Sequence, residues 1–214
     1  TAVGVDPSRG GKDEFVIAPR YDAWVAPLQT HPGKAVPDGP VGAALVARVL
    51  NGNAMVPVQV DSGGIGAATV DALRAIPGLR VVALNGAEKS HARDKSGRLG
   101  FINRRAEWHW RMREALDPAS GQDLALPPDH QLRADLCAPR WTLTPRGIQV
   151  EDKDKIKDRL GRSPDRGEAV IYACAEPSGG TLELLFESAP DVDNLASQVA
   201  ALKAQLGVGG NGGG

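Results

Sequence analysis

The sequence predicts an α/β fold in which helices flank a mixed central sheet. Two short apolar runs, at residues 2–6 and 14–18, enclose a segment rich in turn-forming residues, a pattern typical of a β-hairpin. A strand at residues 55–61, a helix reaching Ile76 and a strand at residues 80–84 then follow one another, and this order predicts parallel neighbours. An antiparallel hairpin beside parallel strands makes the sheet mixed.

The composition indicates a sizeable core and excludes several classes of protein. The chain has 214 residues, of which 42% are hydrophobic and 24% charged, so disorder throughout is excluded. No apolar run approaches the roughly 20 residues that span a bilayer, and residues 1–5 lack the pattern of a signal peptide. Cys137 and Cys174 are too few for a disulfide framework. We therefore expect an intracellular setting and no membrane partner.

The first half continues with a meander and an amphipathic helix. Residues 21–28 extend the meander, and hydrophobic residues then recur every four positions from Val41 to Val49. This spacing predicts a helix that ends near Asn51. Valines alternate with other residues in the strand that follows, and that strand ends at Asp61.

The second half is predicted to be mostly helical. Residues 86–100 have the composition of a loop, and the helix after them, at 103–116, should bury Trp108, Met112, Ala115 and Leu116. The other predicted elements are, in order, a helix at 131–137, a hairpin at 141–143 and 147–150, a charged helix at 152–160, and a last helix with Ser163 as N-cap and Pro164 at its first position.

The compact domain is expected to end near residue 177. Beyond it we predict a strand at 181–186, a small helix at 195–206 and a flexible Gly-rich end. The chain is therefore divided into a domain at 1–177 and an extension at 178–214.

Three aspartates stand at the ends of predicted elements. Asp6 closes the first strand, Asp61 closes a later strand and Asp165 opens the last large helix. Carboxylates so placed can converge, and a hard divalent cation relieves their repulsion. Oxygen ligands select Mg²⁺ or Mn²⁺ rather than zinc, and two such ions about 4 Å apart suit phosphodiester hydrolysis. Taken singly, each aspartate is more typical of a turn or a helix cap.

Three segments resemble the nuclease domain of bacteriophage large terminase subunits. Residues 4–13 resemble its opening motif, residues 58–66 its second motif, and residues 151–169 its closing motif, which is the most specific. The similarity covers about residues 1–176. It implies an RNase H-like fold and a two-metal endonuclease that cuts concatemeric viral DNA during packaging in the host cytoplasm.

The resemblance also implies which residues bind the two Mg²⁺ or Mn²⁺ ions. Asp6, Asp61 and Asp165 match the catalytic, metal-binding acids of the family. Glu168 stands where the family often has a further aspartate, one helical turn after Asp165, and is expected to assist with a longer reach. Asp13 matches a recurrent acid on the hairpin and is a second-rank candidate.

A basic segment predicts contact with the DNA backbone. Between residues 89 and 113 there are eight basic residues and two acids, a net charge of +6 in a chain whose net charge is −1. A solvated loop and the polar face of a helix explain any single one of these residues equally well. The candidate DNA-contacting residues are Arg9, Lys12, Lys89, Arg93, Arg104, Arg105 and Lys153, the last of which matches a lysine recurrent in the closing motif.

The expected partners follow from the same resemblance. They are double-stranded DNA, the terminase small subunit, the portal protein and the ATPase domain of the same full-length protein. This chain contains no GxxxxGK[ST] motif, so we expect no motor activity from it. The four histidines show no ligand spacing and receive no role.

Other functions remain compatible with the sequence. An RNase H-like junction resolvase would use the same metal chemistry, with a preference for four-way junctions and a stable homodimer. A non-catalytic DNA-gripping or portal-docking module would bind metal only structurally. An actin-like ATPase also begins with a hairpin containing Asp and Gly, but its second phosphate loop is not recognisable here.

Overall fold

The computed structural model describes residues 1–176, whose central sheet begins with an antiparallel meander. Strand β1 is Ala2–Asp6 and pairs antiparallel with β2, Glu14–Tyr21. Strands β3 (Trp24–Val25) and β4 (Gln29–Pro32) both pair antiparallel with β2. The predicted hairpin and meander are therefore confirmed.

Two parallel strands complete this sheet. Strand β5, Val58–Asp61, runs parallel to β1, and β6, Val81–Leu84, runs parallel to β5. The strand order is β3-β2-β1-β5-β6, with β4 beside β2, so the sheet is mixed as predicted. Val5 lies opposite Val60, so Asp6 and Asp61 leave the same end of adjacent strands.

Helices cover both faces of the sheet, and a separate two-stranded hairpin packs against one of these helices. Helices α1 and α2 pack on one face, whereas α3, α4 and α6 pack on the other. The bounds are α1 Gly39–Leu50, α2 Gly66–Arg74, α3 Arg104–Ala115, α4 His130–Cys137, α5 Lys153–Leu160 and α6 Asp165–Cys174, with the hairpin formed by β7 Trp141–Thr144 and β8 Gly147–Val150.

Strand β1 is buried on both faces because its side chains alternate between the two layers. Val3 and Val5 join the core under α1 and α2, while Gly4 faces α6. A Cβ atom at Gly4 would lie 2.1 Å from the carbonyl oxygen of Ala169 in α6. The absence of a side chain at this position lets α6 approach β1 closely enough to bring its first turn to Asp6.

Two details of the predicted helices are wrong. Helix α6 begins at Asp165 with Pro164 as its N-cap and no side-chain cap bond, so Ser163 is not the N-cap. The backbone of Pro164, with φ −84° and ψ 44°, lies outside the helical region, so Asp165 is the first helical residue. Leu116 lies just beyond α3 and is 37% exposed, because the helix ends one turn after the buried Met112.

The predicted extension is outside the described residues. The strand at 181–186 and the helix at 195–206 both fall there, and the boundary near residue 177 stays a prediction. Within residues 1–176, no helix is long and apolar enough to cross a bilayer.

Candidate active site

Asp6 and Asp165 meet around a single lysine at the carboxyl end of β1. The ammonium of Lys153, at the start of α5, donates a hydrogen bond to Oδ2 of Asp6 at 3.1 Å and lies 3.8 Å from Oδ1 of Asp165. Both aspartates are nearly fully buried. The other oxygen of Asp165, Oδ2, accepts a hydrogen bond from the backbone N–H of Glu14 at 2.8 Å. The first hairpin thus fixes the orientation of Asp165.

Asp61 joins this cluster from the neighbouring strand. Its Oδ1 accepts a hydrogen bond from the backbone N–H of Gly63 at 2.9 Å, and its Oδ2 lies 3.3 Å from the hydroxyl of Tyr172 in α6. The glycines after Asp61 allow this tight turn, since a Cβ atom at Gly66 would lie 1.9 Å from the carbonyl oxygen of Asp61. Helix α2 can therefore begin directly behind the carboxylate.

Glu168 lies in the same cluster, one turn along α6. Its Oε1 accepts a hydrogen bond from Arg105 at 3.1 Å and lies 3.5 Å from Nε2 of His109, both in α3. Its Oε2 accepts a hydrogen bond from the Tyr172 hydroxyl at 3.0 Å. Both oxygens of Glu168 therefore have polar partners within the protein.

Burial and mutual repulsion raise the pKa values of some of these carboxyl groups, whereas neighbouring positive groups lower the pKa of another. Burial raises the pKa of Asp6 well above its usual range despite Lys153, with Asp165, Glu168 and Asp61 adding to the rise, and burial also raises the pKa of Asp61. Burial alone would raise the pKa of Glu168, but His109 and Arg105 hold it well below its usual range. Glu168 is thus stabilised as an anion, whereas nearby positive charge does not fully offset the burial and repulsion of the Asp6 and Asp61 carboxylates.

Lys153 provides the compensating charge. Burial alone would lower the pKa of Lys153, but Asp6, Glu168 and Asp165 raise it, so the lysine is cationic at neutral pH. A cation therefore already lies between two of the three predicted metal-binding acids.

The other predicted site residues are distributed differently. The carboxylate of Asp13 is bonded by Lys157 at 2.9 Å rather than by any member of the cluster. Arg104 is buried and bonded to Glu107, so this structure does not offer it to DNA. Arg105 points inward to Glu168. The predicted DNA-contacting residues that do lie exposed are Arg9, Lys12, Lys89 and Arg93.

Sequence reasoning missed two members of this cluster, Tyr172 and His109. Glu168 and Tyr172 are four residues apart in α6, and Arg105 and His109 are four residues apart in α3, so each pair shares a helix face. That spacing was available in the sequence. Which faces of α3 and α6 contact each other, however, depends on tertiary packing.

The donor chemistry of the cluster fits a hard divalent cation. Carboxylate oxygens converge from two adjacent strands and a helix, burial and repulsion raise the pKa of Asp6, and an ammonium occupies the space between Asp6 and Asp165. Among residues 1–176, no three His, Cys, Asp or Glu side chains are already arranged as a group that could hold a metal ion.

Replacement of Lys153 by methionine is expected to make the protein depend on a divalent cation for stability. Loss of the ammonium leaves Asp6 and Asp165 without a neutralising charge, which costs on the order of 1–3 kcal/mol in the free energy of unfolding, less than for a fully buried pair because the lysine side chain is 36% exposed. Thermal melts in EDTA should show a lower midpoint, and Mg²⁺ should raise the midpoint of Lys153→Met more than that of wild type.

The matched control is Lys155→Met, at an exposed position of the same helix. Its melting midpoint should match wild type in EDTA. Equal Mg²⁺ shifts for Lys153→Met and wild type would contradict competition between the lysine and a cation.

The comparisons with known proteins show what the chain resembles. No family model matches it, and no curated protein matches its sequence. The nuclease domain of the large terminase subunit gp2 of bacterial virus Sf6 superposes with a TM-score of 0.66 at 20% identity, covering 83% of this chain and 88% of that one. A lysine-to-alanine variant of that domain with manganese gives a TM-score of 0.62 at 18% identity, covering 83% and 89%.

A second phage gives the same result. The large terminase nuclease from thermophilic phage G20c with bound magnesium superposes with a TM-score of 0.52 at 15% identity, covering 80% of this chain and 78% of that one. The likeness to terminase nucleases that the three motifs predicted is therefore confirmed at the level of the fold. The chain has the RNase H-like fold of the nuclease domain of phage large terminase subunits, a mixed sheet flanked by helices.

Proposed function

We propose that this chain is a metal-dependent endodeoxyribonuclease that cuts concatemeric viral DNA during genome packaging. The observation that carries the proposal is the convergence of Asp6, Asp61 and Asp165 at one end of β1 and β5, in a fold shared with terminase nucleases. Carboxylates hold divalent cations of this kind, and the related terminase nuclease structures include one with manganese and one with bound magnesium.

In the proposed mechanism, the carboxylates of Asp6, Asp61 and Asp165 hold two divalent cations. Bound there, Mg²⁺ or Mn²⁺ would supply an activated water and stabilise the departing 3′ oxygen. Asp6 lies on β1, which pairs with the strand of Asp61 and packs against the helix of Asp165, so its carboxylate would be available to either ion. The Glu14 N–H on Asp165 and the Gly63 N–H on Asp61 hold these carboxylates in fixed orientations before the substrate binds.

DNA is proposed to approach over the exposed basic residues near the cluster. Arg9 and Lys12 lie in the loop that follows Asp6, and Lys89 lies in the loop whose backbone bonds the start of α3 at Arg104 and Arg105. Contacts between basic side chains and DNA phosphates provide binding that does not depend on the base sequence. The proposed partners are the terminase small subunit, the portal protein and the ATPase domain of the full-length protein, in the host cytoplasm.

The proposal is tested with supercoiled plasmid incubated in Mn²⁺, Mg²⁺ or EDTA. We expect nicking and linearisation in the metals and none in EDTA. Asp61→Ala should lose cleavage by about 10³-fold, because one of the carboxylates that would hold the charge-stabilising cations is removed. Asp71→Ala, at an exposed position of α2, is the control and should cleave as wild type does.

The outcomes also separate the alternative functions. A strong preference for four-way junctions over plasmid, together with a stable homodimer, would favour a junction resolvase. A folded protein that binds DNA but does not cleave it in either metal would favour a DNA-gripping module.

A further inference from the structure

We propose that Tyr172 is a positioning residue that orients Asp61, and that Glu168 holds this tyrosine in place. The inference rests on the proposed function, since it assigns roles within the same site. It gives Glu168 a role that acts through Tyr172, and it adds a residue that the sequence motifs do not contain.

The hydroxyl of Tyr172 lies between two carboxylates. It is 3.0 Å from Oε2 of Glu168 and 3.3 Å from Oδ2 of Asp61. The other oxygen of Asp61 is already fixed by the N–H of Gly63 at 2.9 Å. Because the hydroxyl carries one proton, that proton is shared between the two carboxylates in a three-centre hydrogen bond. Asp61 is therefore held at one oxygen by a backbone donor and at the other by this shared bond.

The tyrosine ring itself is fixed by α3. Tyr172 is 5% exposed, and Trp108 packs against it edge to face, with ring centroids 6.1 Å apart and an angle of 90° between the planes. Such edge-to-face pairs stabilise the ring position beyond what burial of area alone provides. The hydroxyl is therefore presented at one position and needs little reorganisation to serve as a donor.

Glu168 is already committed to contacts within the protein. Arg105 and His109 reach its Oε1 from α3, and Tyr172 bonds its Oε2, while the residue is 1% exposed. These contacts hold the carboxylate of Glu168 in one orientation within the protein. Glu168 thereby fixes the hydroxyl that touches Asp61.

A phenol suits this position because it donates a hydrogen bond without adding a charge. An additional ammonium or guanidinium beside Asp61 would compete with a divalent cation, whereas a neutral donor orients the carboxylate and leaves its charge available. The pKa of Tyr172 is raised well above its usual value by burial and by Glu168, Asp6 and Asp61, so the donor proton is retained at neutral pH.

The first test is Mn²⁺ binding to Tyr172→Phe, measured by calorimetry without DNA. Loss of the hydroxyl should weaken Mn²⁺ binding by about 10-fold, the usual effect of removing a group that orients a metal ligand. The DNA affinity in EDTA should be unchanged. Tyr21→Phe is the matched control, because the chain has two tyrosines and Tyr21 is 50% exposed and stacked on Trp24.

The second test keeps Tyr172 in place and so does not depend on the folding of the variant. In Tyr21→Phe protein, Tyr172 is the remaining tyrosine, and its ring ¹³Cζ signal can be followed by NMR during a Mg²⁺ titration. We expect this signal to shift with the same midpoint as Mg²⁺ binding. A purely structural tyrosine would not report the cation.

The results distinguish this inference from the proposed function. If wild type binds no Mn²⁺ and cleaves no DNA, both are overturned. If wild type binds and cleaves, but Tyr172→Phe binds Mn²⁺ equally well or the ¹³Cζ signal does not respond to Mg²⁺, the role of Tyr172 alone is overturned.

Discussion

Asp6→Asn is expected to lose DNA cleavage by about 10³-fold or more while melting in EDTA at or above the wild-type temperature. Asp6 is buried in a cluster of acids, and its carboxylate contacts the ammonium of Lys153. Asparagine has nearly the same shape but no charge, so it cannot hold a divalent cation with the same strength. It also removes the desolvation and repulsion that raise the pKa of Asp6.

The measurement pairs a plasmid cleavage assay with a thermal melt of the same preparation. Asp71→Asn, at an exposed position of α2, should retain both the cleavage rate and the melting midpoint. Cleavage by Asp6→Asn within tenfold of wild type would remove Asp6 from the catalytic group. Loss of cleavage together with a collapse in melting temperature would instead show that Asp6 is needed for folding.

The same variant should change how stability depends on pH. Because the pKa of Asp6 is raised in the folded protein, the folded state binds this proton more tightly than the unfolded state. Asp6 therefore lowers the free energy of unfolding as the pH rises from about 4 through the raised pKa. In EDTA, the stability of Asp6→Asn relative to wild type should increase over that range, and equilibrium unfolding in urea at several pH values measures it. A constant difference would contradict the pKa shift.

Gly4→Ala is expected to reduce both stability and cleavage, although position 4 touches no reacting group. The added Cβ atom would lie 2.1 Å from the Ala169 carbonyl oxygen and 2.3 Å from the Ala173 nitrogen, so α6 must move away from β1. Such overpacking costs about 3 kcal/mol or more in the free energy of unfolding, roughly 6–12 °C in melting temperature for a domain of this size. A displacement of Asp165 by about 1 Å should lower cleavage about 100-fold.

The control for this substitution is Gly11→Ala, in the loop after β1. A Cβ atom there would approach no atom closer than 3.8 Å, so stability should change by less than about 0.5 kcal/mol. Urea unfolding and plasmid cleavage measure both variants. Equal stability of Gly4→Ala and wild type would show that the contact between β1 and α6 is not close packed.

Local patterns in the sequence were sufficient to predict most elements of this fold. Valines alternate at 55–61, and hydrophobic residues recur every four positions from Val41 to Val49. Such periodicities can be recognised from the residue types alone, because residues that face a core are apolar. The exact ends were less predictable. Helix α6 begins at Asp165 rather than at Pro164, because the backbone of Pro164 is not helical in the folded chain.

The three aspartates were predicted to meet because elements of known type place their ends together. Asp6 and Asp61 were placed at the ends of two predicted strands, and the resemblance of their motifs to terminase nucleases indicated that they meet. The structure shows that these two strands are parallel neighbours. The resemblance in the closing motif added Asp165. These predictions needed only chain order and motif, so they were accessible without a structure.

The contacts inside the cluster were decided by tertiary structure alone. Arg104 and Arg105 are adjacent in sequence and equally basic, yet the first bonds Glu107 and the second bonds Glu168, because their directions differ by about 100° around α3. Likewise, the sequence offers Tyr172 and His109 as ordinary helical residues. Sequence determined which groups could carry charge, whereas the packing of α3 and α6 on β1 determined which of those charges face each other, since electrostatic effects fall with distance and rise with burial.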